Sequence, residues 1–144
     1  MTADLYDVII VGAGPSGSTA GYYLGKNPDI RVLIVDRFEF PRYKSCAGGL
    51  FLCDDWPREF ENFNSGLEMV SRQPCYDCDF YFDRKFIHRT YNTHLFDVVD
   101  RAEFDAALLE VALQQSNVKF KRFPVERIRY ESDNGKDIYC LESA

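Results

Sequence analysis

The chain has 144 residues, about one domain, and 46% of them are apolar, enough for a packed core. Its formal charge is −6, which argues against a nucleic-acid partner because phosphate binding needs a basic face. No apolar stretch approaches the ~20 residues of a membrane span. A strand-like run begins near Tyr6, which leaves no room for a signal peptide, so a cytoplasmic start is expected.

Residues 6–11 contain the apolar run Val8, Ile9, Ile10 and Val11, which suits a strand buried on both faces. The glycine-rich stretch from Gly12 to Gly17 follows, and residues 16–26 read as a helix with small residues along one side. Asn27-Pro28-Asp29 ends that helix. Val32, Leu33, Ile34 and Val35 give a second buried strand ending at Asp36. A strand-helix-strand unit of this kind implies a parallel pair.

Residues 37–66 read as irregular, punctuated by Pro41, Gly48, Gly49, Pro57 and Gly66. Cys78-Asp79-Phe80-Tyr81-Phe82 and Phe86-Ile87-His88, separated by Asp83-Arg84-Lys85, suggest a hairpin. Its aromatic residues are best explained by ordinary sheet packing rather than by a lipid pocket. Asp100 looks like an N-cap, with Glu103 completing a capping box. Phe104, Leu108, Val111 and Gln115 follow at helical spacing, with Ala107 and Ala112 on the same face. Residues 118–122 alternate as a strand, and Asp133-Asn134-Gly135 marks a hairpin turn before a return strand over residues 138–141.

The five cysteines are Cys46, Cys53, Cys75, Cys78 and Cys140, and free thiols are the default without a secretory signal. Cys75-Tyr76-Asp77-Cys78 matches C-x-x-C. In an extended run, however, positions three apart face opposite ways, and His88 and His94 do not fall at zinc-finger spacing. No metal site is expected.

Val11-Gly12-Ala13-Gly14-Pro15-Ser16-Gly17 contains G-x-G-x-x-G between a strand and a helix. Gly12 allows the tight turn, Gly14 lets a pyrophosphate approach the backbone, and Gly17 lets helix and strand pack closely. The helix N-terminus offers N–H groups and a positive dipole end to phosphate. Asp36 lies 24 residues beyond Gly12, where an acid accepts hydrogen bonds from an adenosine ribose and disfavours a 2′-phosphate. The fingerprint alone does not separate FAD from NAD.

The segment after the acid does. Asp36-Arg37-Phe38-Glu39-Phe40-Pro41-Arg42-Tyr43-Lys44-Ser45-Cys46-Ala47-Gly48-Gly49-Leu50 resembles the F-P-R-x-K-x-C-x-G-G segment of the geranylgeranyl reductase family of FAD-dependent oxidoreductases. Val99-Asp100-Arg101-Ala102-Glu103-Phe104-Asp105 resembles that family's V-x-R-x-x-F-D. The resemblance implies an α/β fold: a Rossmann-type FAD-binding domain of the glutathione-reductase-like flavoproteins, truncated, with part of a β-rich substrate domain. Residues 1–50 would form the first part of the FAD domain, 51–98 a partial substrate segment, and 99–144 the return to the FAD domain. FAD is the implied cofactor, bound by Gly12, Gly14, Gly17, Asp36, Arg37, Cys46, Ala47, Gly49, Arg101 and Val125. Among these, Cys46, Ala47 and Gly49 would lie near the flavin. Val125, in the strand after the second helix, would lie on the adenine side. Cys46 is a candidate for the substrate pocket but not for a nucleophile, since nothing in the sequence points to a lowered thiol pKa.

The implied reaction is reduction of carbon–carbon double bonds in an isoprenoid or lipid, with an electron donor that the residues do not name and peripheral membrane association left open. Flavin-dependent hydroxylation or halogenation on the same scaffold is the rival reading. A catalytically incomplete nucleotide-binding fragment is another, because family members are considerably longer. The isolated chain is expected to retain FAD weakly or not at all.

Overall fold

The structure is a computed structural model, and it describes residues 5–51, 70–133 and 136–143. Strands β1 (Val8–Val11) and β2 (Val32–Asp36) pair in parallel, with Val8 opposite Val32 and Val11 opposite Val35. Helix α1 (Pro15–Gly25) makes the crossover between them. Helix α2 (Arg101–Leu113) leads into β8 (Val118–Arg122), which pairs in parallel with the other side of β2. The sheet order is therefore β1-β2-β8, with β2 in the middle.

That central position explains the composition of β2. Val32, Ile34 and Val35 are buried, and helices α1 and α2 pack against each other and against this sheet. Leu108, Val111 and Ala112 of α2, Tyr22 of α1 and Val118 of β8 complete the core. Burying a side chain such as Ile34 or Leu108 contributes about 2 kcal/mol. Asp100 caps α2 as expected, but its carboxylate accepts from Ala102 N at 2.6 Å, one residue earlier than a capping box uses.

A second region is antiparallel. β3 (Gly49–Phe51) and β4 (Arg72–Cys75) flank β7 (Phe96–Val99) in the order β3-β7-β4. The expected hairpin is present as β5 (Cys78–Phe82) and β6 (Lys85–Thr90). Asp83 and Arg84 both have positive φ, 46° and 60°, as a two-residue turn of the primed type requires. The last hairpin joins β9 (Arg127–Asp133) and β10 (Lys136–Glu142), with Tyr139 opposite Tyr130.

Several expectations are corrected here. Gly49–Phe51 is a strand within the stretch read as irregular. Pro57 and Gly66 lie outside the described residues, as do Cys53 and the Asn134-Gly135 turn. The return strand runs over Lys136–Glu142, longer than expected. Cys75 ends β4 and Cys78 begins β5, so the C-x-x-C segment spans a corner between two sheets rather than one strand; both thiols are free. The aromatic residues of the first hairpin pack within it, Tyr81 against Phe86 edge to face at 5.8 Å, yet Tyr81, Phe82 and Phe86 stay exposed. A two-stranded hairpin buries its faces only against a further layer, and among the described residues these side chains remain open to solvent.

Candidate functional site

The site starts where β1 turns into α1. Gly12 closes the turn at φ +105°, and its N–H donates to Val35 O at 2.7 Å, which ties the loop to β2. Gly14 is the N-cap of α1, Pro15 occupies its first turn, and neither a side-chain cap nor an acid fills that end. The first-turn N–H groups thus keep their donors and the positive end of the helix dipole for an anion. A Cβ on Gly17 would lie 1.8 Å from Gly12 O, so only glycine lets the helix start this close to the loop.

Asp36 ends β2 beside this loop. Its Oδ2 accepts from Ala13 N at 2.9 Å and its Oδ1 from Phe38 N at 3.0 Å. The acid therefore fastens the glycine loop to the end of β2. Each carboxylate oxygen keeps a further lone pair that could accept from a ribose hydroxyl. Arg37 is exposed with its guanidinium over the Phe38 ring at 5.7 Å, and its carbonyl accepts from Arg122 Nε at 3.3 Å.

The second part of the site comes from the loop before β3 and the start of α2. Cys46 is exposed, and Gly48 N donates to its Sγ at 3.5 Å. That hydrogen bond, reinforced by one from Arg101, lowers the thiol pKa below its ordinary value, a shift the sequence did not suggest. Ala47 and Gly49 are exposed beside it, Gly49 as the first residue of β3. Gly48 has φ +74°, and a Cβ there would lie 2.2 Å from Val99 O, so the loop is pressed onto the end of β7. Val99 N also donates to Gly48 O at 3.0 Å.

Arg101 opens α2, and its guanidinium forks onto Asp105 one turn later, Nε to Oδ1 at 2.8 Å and Nη2 to Oδ2 at 3.1 Å. Asp105 is fully buried, and a second arginine, Arg42, reaches its Oδ2 at 3.3 Å. Arg42 also lies over the Phe40 ring at 4.8 Å and within 3.5 Å of the position a Cβ would take on Gly14. The Asp105 carboxylate holds the Arg101 guanidinium more firmly protonated than usual.

The structure thus brings Gly12, Gly14, Gly17 and Asp36 together, and it brings Cys46 to Arg101. Val125 is half-buried in the loop between β8 and β9, not in a strand as expected. Pro124 lacks the N–H that would continue the ladder, and pairing with β2 ends where Phe123 N donates to Asp36 O at 2.7 Å. Sequence reasoning missed Arg42 and Asp105. The available signal for Asp105 was its place four residues after Arg101 among the apolar positions of a helix. For Arg42 the signal was its place as the arginine of the F-P-R-x-K-x-C-x-G-G segment, although its partners come from distant parts of the chain.

The residues present fit a dinucleotide cofactor: an uncapped helix end over a glycine turn, an acid at the tip of the second strand, and two basic side chains nearby. Comparison with known proteins agrees. An uncharacterized protein of Methanosarcina barkeri is 35% identical over 131 residues, 88% of this chain and 32% of that protein. The thiamine thiazole synthase of Thermotoga maritima is 29% identical over 127 residues, 88% of this chain and 43% of its own length. A geranylgeranyl bacteriochlorophyll reductase-like protein of Thermoplasma acidophilum superposes with a TM-score of 0.66 at 20% identity, covering 93% of this chain and 36% of that one. This likeness shows a shared fold. The chain spans about a third of the length of the first of these relatives. The Thi4 family matches over residues 2–136, so the chain belongs to the Thi4 family and has a Rossmann-type, FAD-dependent fold.

Proposed function

We propose that this chain forms the adenosine- and pyrophosphate-binding part of an FAD-dependent oxidoreductase that reduces carbon–carbon double bonds of an isoprenoid chain. The observation that carries the cofactor half of this reading is the glycine turn fastened to Asp36, with the open end of α1 above it. Gly12, Gly14 and Gly17 let the pyrophosphate reach the backbone N–H groups, and Asp36 accepts from the ribose. Arg37 and Val125 lie on the adenosine side. Cys46, Ala47 and Gly49 face the flavin end, with Arg101 held in place by Asp105.

Held by the Gly12–Gly17 turn and Asp36, reduced FAD would supply hydride-transfer chemistry to an alkene, with the accompanying proton coming from the protein or water. The chain's own part is to bind, orient and hold charge: the helix end and basic side chains would offset the pyrophosphate, and the loop around Gly48, pinned to Val99, would present its backbone to the flavin end. The isoprenoid half is supported by the resemblance and by the Thermoplasma counterpart. Peripheral membrane contact belongs to this reading; among the described residues, no helix is long and apolar enough to cross a membrane.

The test is anaerobic reoxidation of dithionite-reduced flavin by prenyl substrates, with the polypeptide that carries this chain. Reoxidation that depends on the prenyl substrate, with a saturated product, is the expected result. A strict oxygen requirement for turnover would instead favour halogenation or hydroxylation, a reading supported by the fold of a flavin-dependent brominase (TM-score 0.65, 21% identity).

A further inference from the structure

The arrangement around Asp105 carries more positive charge than its carboxylate offsets. Asp105 is fully buried, and both of its oxygens are taken by Arg101 and Arg42. Two guanidiniums therefore share one negative charge. Both are largely shielded from water, with side chains 17% and 13% exposed, where screening is weak. Arg42 Nε is buried with no hydrogen-bond partner among the described residues, so this guanidinium has donor capacity that the protein does not use. The surplus charge lies against the glycine loop, because Arg42 Nη2 comes within ordinary contact distance of a Cβ placed on Gly14. Gly14 is in turn the uncapped N-terminus of α1, with no acid in its first turn.

We propose that Arg42 is a pyrophosphate-binding residue, holding the diphosphate of the dinucleotide against the Gly14 turn, and that Asp105 is the positioning residue that aims it. This rests on the FAD reading above and deepens it by assigning the charge that selects a diphosphate over an uncharged nucleoside. Phe40 supports the guanidinium from one face at 4.8 Å and Asp105 fixes its edge, so the loss of side-chain freedom on binding is small. Arg101, already forked onto Asp105, keeps that carboxylate from drawing Arg42 into a closed pair.

The experiment is equilibrium titration of the full polypeptide that carries this chain with FAD, ADP and adenosine, for the unaltered protein and for Arg42→Met, Arg42→Lys and Asp105→Asn, with circular dichroism as the check on folding. Arg42→Met is expected to weaken FAD and ADP about tenfold or more, the scale of a lost charge-assisted hydrogen bond, and to leave adenosine within about twofold. Arg42→Lys recovers part of that loss, and Asp105→Asn weakens ADP more than adenosine. The dependence of ADP affinity on salt becomes shallower in Arg42→Met. ADP affinity unchanged in Arg42→Met would overturn the proposal alone. An equal loss of adenosine affinity would assign the effect to a disturbed fold and would likewise overturn it. An unaltered protein that binds neither FAD nor ADP would remove the FAD reading and this proposal together.

Discussion

The parallel unit of β1, α1, β2, α2 and β8 and the antiparallel segment over residues 70–99 are both rich in apolar residues, yet they use them differently. In the parallel unit, Val32 and Ile34 of the middle strand are buried in the core that the helices help to form. In the antiparallel segment, Tyr81 and Phe82 are 61% and 76% exposed although their strands are well paired. Strand pairing satisfies the backbone in both cases, but only a covering layer converts apolar side chains into stability. Tolerance to substitution should follow that division.

The largest effect is expected at Gly17. An added Cβ meets a backbone oxygen at 1.8 Å, which no side-chain rotation can relieve, so Gly17→Ala should cost about 4 kcal/mol or more, or abolish cooperative unfolding in urea. Asp105→Ala comes next. It leaves two shielded guanidiniums without their carboxylate and should cost about 3–5 kcal/mol, read as a lower urea midpoint. A smaller but more specific effect belongs to Cys46. Its pKa is lowered, so thiolate appears at lower pH than for an ordinary thiol, and iodoacetamide alkylation should rise with a midpoint below the usual value. Arg101→Gln removes one of the groups that lower it, and should move that midpoint upward. At the small end, Phe82→Ser on the exposed hairpin should shift stability by less than about 0.5 kcal/mol. A large loss there would show that the hairpin is covered and would erase the contrast between the two regions.

The same contrast governs what could be read from the residues alone. From Gly12 to Asp36 every signal is local: a turn, a helix and an acid whose spacing carries the geometry. The bond from Ala13 N to Asp36 joins two positions that the pattern already pairs. The charged cluster was not legible, because Arg42, Arg101 and Asp105 meet only once α2 packs near the glycine loop. β4 was hidden by Pro74, which a strand reading penalises and which is tolerated here because β4 is an edge strand. β3 was too short to show any alternation. Val125 was misplaced for the opposite reason, since the apolar pattern beyond β8 continued past Pro124 while the ladder did not.

The central claim is that the glycine loop, Asp36 and the basic side chains beside them bind the ADP portion of FAD. Competition for FAD binding by ADP and by FMN tests it most directly. The account predicts that FAD binds and is displaced by ADP, with FMN a far poorer competitor because it lacks the adenosine and the pyrophosphate. Displacement by FMN as effective as by ADP, or no effect of ADP, would contradict it.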